Sequence, residues 1–424
     1  MKYSALIFLI SLSYISLNSQ TTYRYDSTTQ NRINKVLNAF EHFSLEGYGS
    51  INYNNYNWQT DTAKRNDIDL ERFVLEPTFH FTNKIKLNAE LEIEHGGTGT
   101  AVEFDRFEEF GEFEFEIEKG GEVNLEQLNI EWNYNDKFNL KAGRIKVPVG
   151  YYYQFDEPVD YFTPMVSEVE SHLLPTSWTE FGISINGELG KNKKLNYVIG
   201  IVNGLDNSAF SSSTWIKRGN QQRFETVNAE DWAGVLRLDY QFNDHLSIGV
   251  SGYFGNSSDN RPKPDLKIPG YVAISEIHTS VEYGFLEAKA LVMYGHLTNA
   301  ENISDANRNL SNNLNVKRTP VGSSVLGAYC ELGTDLLKIL HPGRELIHKD
   351  KMMLYGRVDY YDTMYTTEGT IFDNPRWERQ VWGIGLNYQP IKELIIKTYY
   401  SSRKFSIPTR NLEDTFTLGF GFAF

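Results

Sequence analysis

From Phe43 to the end of the chain, apolar and polar residues alternate with a period of two, the spacing at which successive strand side chains leave opposite faces. The last strand is the cleanest case. Phe416, Leu418, Phe420, Phe422 and Phe424 fall on one face, and Thr417, Gly419, Gly421 and Ala423 on the other. Ile85, Leu87, Ala89, Leu91 and Ile93 likewise stand against Lys86, Asn88, Glu90, Glu92 and Glu94. A helix cannot hold such a pattern. Phe43, Leu45, Ile51 and Tyr53 open the series, and Phe73, Leu75, Phe79 and Phe81 continue it opposite Arg72, Glu76, Thr78 and His80. Further strands are predicted near 122–134, 137–144, 179–190, 193–203, 232–242, 245–255, 271–283, 285–296, 322–333, 350–362, 377–389, 392–403 and 414–424, about sixteen in all.

The links between them alternate in length. Short turns at 82–84, 135–136, 190–192, 243–244, 283–284 and 389–390 separate long polar links at 54–67, 96–121, 145–178, 204–231, 256–270, 297–321, 363–376 and 403–413. One link, 334–349, is long on the short side and is read as a small helix or loop. Short turns on one rim and long loops on the other are what a transmembrane antiparallel β-barrel requires, and a propeller or sandwich has no reason for them.

Composition agrees. The mean hydropathy of −0.44 and the lack of a second long apolar run exclude a helical membrane protein, but not a barrel with its polar half in the lumen. The 26 Tyr, 26 Phe and 7 Trp suit aromatic girdles at two membrane interfaces. Lys2, the apolar run Ala5 to Leu17 and the small and polar residues after it read as a signal peptide over 1–19. Residues 20–42 then form a periplasmic segment in which Ile33, Val36, Leu37 and Phe40 have helical spacing, and 43–424 form the barrel. That segment is too small to be the plug of an energised receptor. The net charge of −14 argues against nucleic acid. The single cysteine, Cys330, shares a face with Leu326, Ala328 and Leu332, and is read as facing lipid.

The terminal Phe424 resembles the C-terminal signal by which bacterial outer-membrane barrels are recognised by the assembly machinery. The stretch Gly143-Arg144-Ile145-Lys146-Val147-Pro148-Val149-Gly150 is followed by Val202-Asn203-Gly204, Gly327-Ala328-Tyr329-Cys330-Glu331-Leu332-Gly333 and Leu354-Tyr355-Gly356-Arg357-Val358-Asp359. Together these resemble the phosphate-selective porin O and P family over most of 43–424. The resemblance implies a bacterial outer-membrane channel of sixteen strands, a homotrimer set among lipid and lipopolysaccharide, through which small hydrophilic solutes diffuse. It also implies a loop folded into the lumen, here 145–178, entered through Arg144 and Lys146.

That loop departs from the family's anion preference, since Lys146 is its one base against Asp156, Glu157, Asp160, Glu168 and Glu170. The lumen is expected to carry Arg72, Lys86, Lys141, Arg237, Lys289, Arg357, Arg379 and Lys397, interspersed with Glu76, Glu90, Glu92, Glu94, Glu131, Glu188, Asp239, Glu287, Glu331 and Asp359. The excess of carboxylates in the loop predicts a neutral to mildly cation-preferring channel with Arg144 and Lys146 as a local basic patch at its entry, phosphate or other anions being the alternative that the resemblance implies. A receptor or adhesin whose loops bind a ligand without conducting also remains open.

The run from Glu103 to Lys119 alternates Glu with Phe and is read as a solvated acidic loop or an extended hairpin, with cation binding as a further option. No enzyme is expected. His80, His95, His278 and His296 sit in no nucleophile signature, and no ligand spacing proposes a metal or other cofactor.

Overall fold

The computed structural model describes residues 42–97, 103–109, 112–116, 121–175, 177–221, 226–310, 318–341 and 349–424, with the backbone alone for 103–109 and 112–116. The signal peptide and the 20–41 part of the periplasmic segment lie outside them. The strands are β1 (Phe43–Trp58), β2 (Asp67–His80), β3 (Ile85–Glu94), β4 (Glu103–Glu109), β5 (Glu112–Glu116), β6 (Glu122–Asn135), β7 (Phe138–Lys146), β8 (Thr179–Leu189) and β9 (Leu195–Asn203). They continue as β10 (Trp232–Asn243), β11 (Leu246–Asn256), β12 (Tyr271–Tyr283), β13 (Leu286–Leu297), β14 (Ser324–Asp335), β15 (Lys351–Thr366), β16 (Glu378–Ile391), β17 (Leu394–Phe405) and β18 (Leu412–Ala423). Among the described residues three short α-helices, α1 (Glu168–Leu173), α2 (Ala300–Arg308) and α3 (Leu336–Leu340), lie in the links.

Sixteen of the strands close into one antiparallel barrel, β4 and β5 forming a separate hairpin in the link between β3 and β6. The expected transmembrane β-barrel and its strand number are both present. The acidic run is thus a hairpin, with Phe104 opposite Phe115 and Asp105 opposite Glu114. Several strands run further than the pattern suggests, so the first long link shrinks to 59–66 and the seventh to 367–377. The expected turn at Gln389-Pro390 is corrected: β16 continues to Ile391 and turns at Lys392-Glu393, a register irregularity between Tyr388 and Ile391 taking up the proline, which has no N–H for the ladder. The irregular link after β14 holds α3, whose first turn is capped by Asp335 accepting from the Leu337 N–H at 3.0 Å.

The outward face is a continuous apolar band, with Ile201 59%, Phe254 59%, Val358 57% and Leu332 55% exposed. No soluble monomer leaves so large an apolar surface bare. Aromatics edge it twice. Trp132, Tyr134, Phe242, Tyr283 and Phe285 lie by the short turns, and Trp232, Phe254, Tyr271 and Trp382 by the long loops.

Closure rests on the C-terminal strand. β18 pairs with β1 from Tyr48↔Ala423 to Trp58↔Glu413, and Phe424 exchanges both backbone hydrogen bonds with Gly47 at 2.8 and 3.0 Å. The rings of Phe422 and Phe424 lie over Gly49 and Gly47. A Cβ on Gly47 would come within 2.8 Å of Phe424 Cζ and 2.7 Å of the Val74 carbonyl, so glycine lets the last aromatic seal the seam.

Two outcomes follow from this geometry. Deleting Phe424, or replacing it with Ser, will lower the yield of heat-modifiable folded barrel far more than Phe254→Ser in mid-chain; equal yields would show that the seam has no special role. Cys330, exposed beside Val358 and Ala290, will react with a membrane-soluble maleimide and resist a water-confined one in the folded protein. Fast aqueous labelling would mean that strand's parity is inverted.

Candidate functional site: the lumen and its infolded loop

The third long loop, between β7 and β8, folds into the lumen. Irregular backbone inside a barrel must find donors for its carbonyls, and the wall supplies them. Lys397 Nζ donates to the carbonyls of Tyr161 (2.7 Å) and Thr163 (2.8 Å), Asn387 Nδ2 to Phe162 O (2.7 Å), and Lys289 Nζ to Asp160 O (2.6 Å). Arg237 donates to Gly150 O and Arg72 to Asp156 O. The expected lumen bases are therefore inside the barrel, but most hold the loop instead of facing open water. Arg237 is fully buried and Lys397 is 2% exposed.

Carboxylates complete the pairing. Arg357 clasps Asp359 through two bonds of 2.7 Å, reaches Glu331 at 3.1 Å, and donates to Thr163 Oγ1 at 3.0 Å. Arg237 pairs with Asp239, which also meets His278 at 2.8 Å. Arg379 behaves differently. It lies over the rings of Trp377 (4.9 Å) and Tyr361 (5.3 Å), and its hydrogen-bond partner is Ser213 O (3.5 Å), in the fourth long loop. Arg144 and Lys146, expected together at the loop's entry, have separate partners. Arg144 Nε donates to Thr179 Oγ1 (3.3 Å), while Lys146 Nζ bridges Asp156 (2.5 Å) and Glu90 (3.5 Å).

Helix α1 is the loop's deepest anchor. Ser167 caps it, Val169 and Leu173 are fully buried, and both would meet a Cβ on Gly327 of β14. Glu168 accepts from Arg403 Nε (2.8 Å) and Nη2 (3.0 Å) and from the Tyr361 hydroxyl (2.8 Å). Burial would raise its carboxyl, but Arg403 overrides this and holds it at about 2. Glu170 accepts from the Tyr329 hydroxyl (3.0 Å) and the Tyr152 N–H (3.2 Å), yet burial dominates and pushes it up to about 7.

Residues missed by sequence reading, Tyr48, Asn387, Arg403 and Tyr152, are anchors of this loop. No sequence pattern singles out these four, but the seats of the loops' apolar groups do carry one. Inward glycines mark where loop groups seat: Gly295 under Trp215, Gly333 under Phe162 and Gly421 under Pro158. The inward face of β9 to β15 is also apolar in its upper part, through Val202, Val235, Ile274, Leu291, Met293 and Val325, all packed with Trp215, Ile216, Phe210 and α1. The expected polar lumen is corrected there: one side of the barrel is filled by apolar loop packing. On the other side a cavity of about 480 Å³ remains between the loop and β2–β3, lined among others by Arg72, Glu94, Lys146, Tyr152, Asp156 and Trp178. Glu157 is half-buried and Asp160 exposed.

Glu170 generates a pH dependence. A carboxyl whose folded value lies above its ordinary 4.5 disfavours the folded state increasingly as pH rises from about 4.5 to about 7, with no further change above. The difference amounts to about 3 kcal/mol. Glu170→Gln will therefore leave stability near pH 5 almost unchanged and raise it at pH 8, read as melting temperature at both values. Parallel curves for the two proteins would show that Glu170 is not desolvated.

No family profile matches the chain. It is 26% identical over 374 residues to an uncharacterized protein of Aquifex aeolicus (strain VF5), covering 86% of this chain and 77% of that protein. Among solved structures it is similar to a loop L8 deletion mutant of OmpT, an outer membrane protein of Vibrio cholerae, with 9% identity, 90% and 99% of the two chains covered and a TM-score of 0.53. The outer membrane channel DcaP of Acinetobacter baumannii gives 10% identity, 90% and 97% coverage and a TM-score of 0.52. An anion-selective porin from Comamonas acidovorans gives 11%, 90% and 99%, and 0.51. At these identities the likeness concerns fold, and the fold is that of the bacterial outer-membrane porins.

Proposed function

We propose that the protein is a porin of the bacterial outer membrane, a passive channel for small hydrophilic solutes whose constriction is the 145–178 loop. The observation that carries this reading is the loop itself, drawn across the lumen, tied by Asp156 at β1, β2 and β7 and, on the far side of the ring, by the Asp160 carbonyl at Lys289 of β13. A receptor or adhesin needs a rigid loop surface outside, not a narrowing within. The resemblance to the phosphate-selective porin O and P family supports the same class, as do the porin-like fold and the assembly role we assign to Phe424. Homotrimeric assembly among lipid and lipopolysaccharide is part of the proposal.

The phosphate preference of that family is not carried over. Arg237, Arg357 and Lys397 are engaged with loop carbonyls, hydroxyls or wall carboxylates, whereas Glu157 and Asp160 keep access to water. Charge in so confined a place acts more strongly than charge on outer loops, where salt screens within about 10 Å. The open channel is therefore neutral to mildly cation-preferring.

Planar-bilayer recording in a salt gradient tests both claims. Wild type will conduct, with a reversal potential near zero or slightly towards cations. Glu157→Gln with Asp160→Asn will shift it towards anions, and Lys146→Glu the other way. Absence of conductance would sink the porin reading in favour of the receptor, and strong chloride or phosphate preference would restore the family's anion selectivity.

A further inference from the structure

The infolded loop has two unequal halves. Tyr161, Phe162, Val169, Leu173 and Leu174 are buried, and this half carries the hydrogen bonds to Asn387, Lys397 and Arg357. The stretch 153–160 is different. Gln154, Phe155 and Asp160 are exposed, and Val159 is half-covered. This tip is tied to the β1–β7 wall at one residue, Asp156. Its Oδ2 accepts from Lys146 Nζ on β7 (2.5 Å) and the Tyr48 hydroxyl on β1 (3.2 Å), and its backbone carbonyl accepts from Arg72 on β2. The two cations are themselves held by wall carboxylates, Lys146 by Glu90 (3.5 Å) and Arg72 by Glu92 (3.3 Å), and Arg72 lies over the Tyr48 ring at 4.9 Å. Three strands thus aim donors at one residue of the least buried part of the loop, beside the 480 Å³ cavity that Asp156, Arg72 and Lys146 line.

We propose that Asp156 is a latch: its carboxylate fastens the loop tip across the lumen and so sets the width of the passage, and release of the tip widens it. Packing cannot substitute for it on this side, where the tip rests on the wall through Pro158 against Gly421, a contact with no directional bond; the tip's other fastening, Lys289 on the Asp160 carbonyl (2.6 Å), is to β13. On the β1–β7 side the charge-assisted bond of the Asp156 carboxylate is the directional element, and its loss frees the tip from that wall without unfolding α1, the tip then hinging on the Asp160 carbonyl held by Lys289. This rests on the porin reading for its consequence, though not for the latch itself.

The test uses full-length protein in a Cys330→Ala background with Val159→Cys as reporter, folded barrels being selected by heat-modifiability. Asp156→Asn keeps an acceptor for Tyr48 and removes the charge. A neutral water-soluble maleimide will label Cys at 159 about tenfold faster in Asp156→Asn than in the parent, as expected for loss of one charge-assisted bond. Lys146→Met will do the same, and the double variant will gain no more than either single change. In bilayers the same variants will show larger conductance and admit larger neutral polymers. Unchanged labelling, or additive effects of the two substitutions, overturns the latch. Faster labelling in a protein that never conducts keeps the latch and removes the porin reading.

Discussion

A loop inside a barrel carries carbonyls that water no longer reaches fully, and the rest of this structure depends on how they are satisfied. Leaving such groups unpaired costs about 1–3 kcal/mol each, so a loop with no regular secondary structure over most of its length enters the lumen only if the wall is built to receive it. Here the wall is built from long cationic side chains. Lys289, Lys397, Arg237 and Arg72 each reach inwards to a loop carbonyl. Their charges are then balanced locally by Asp239 and Glu92, or shared over aromatic faces such as Tyr161, whose ring centroid is 3.9 Å from Lys397 Nζ. Removing one partner from such a buried set costs about 3–5 kcal/mol because the other charge is stranded.

Space is the second constraint. The barrel's inner face is lined in the places that matter by residues without side chains, and each vacancy is filled by a particular loop group. Gly327 receives Val169 and Leu173, Gly333 receives Phe162, and Gly421 receives Pro158. On the outer face, the same device at Gly47 and Gly49 receives the terminal aromatics. Glycine thus serves two unrelated ends on neighbouring strands, sealing the barrel outside and seating the infolded loop inside.

How much of this was legible depends on range. Strand number, parity and the alternation of long and short links are local properties, and a period of two over ten residues fixes them; Cys330 beside Leu332 on the exposed face is an instance. Strand ends were less legible, because β1 and β15 continue above the membrane where the outward residues become polar and the alternation fades. The loop as constriction came from a resemblance, with its charge count read directly. Its anchors were not legible at all. Arg403 meets Glu168 across 235 positions and Lys397 meets Tyr161 across 236, and a lumen-facing base looks the same in sequence whether it faces water or a carbonyl. The apolar inner face was readable in principle, since Leu291-Val292-Met293 is apolar on both faces of β13.

These facts change the meaning of charge in the lumen. A count of wall bases would suggest an anion path, yet a base that is spent on a carbonyl contributes its charge to a region already balanced and its donors to the scaffold. What a solute would meet in the proposed channel is the remainder: groups on the loop tip and the half-buried Glu76 and Glu94 on the β2–β3 side, Glu90 and Glu92 being buried against Lys146 and Arg72. In the proposed channel selectivity is therefore a property of which charges the loop leaves unclaimed, and moving the loop would change size and charge preference together.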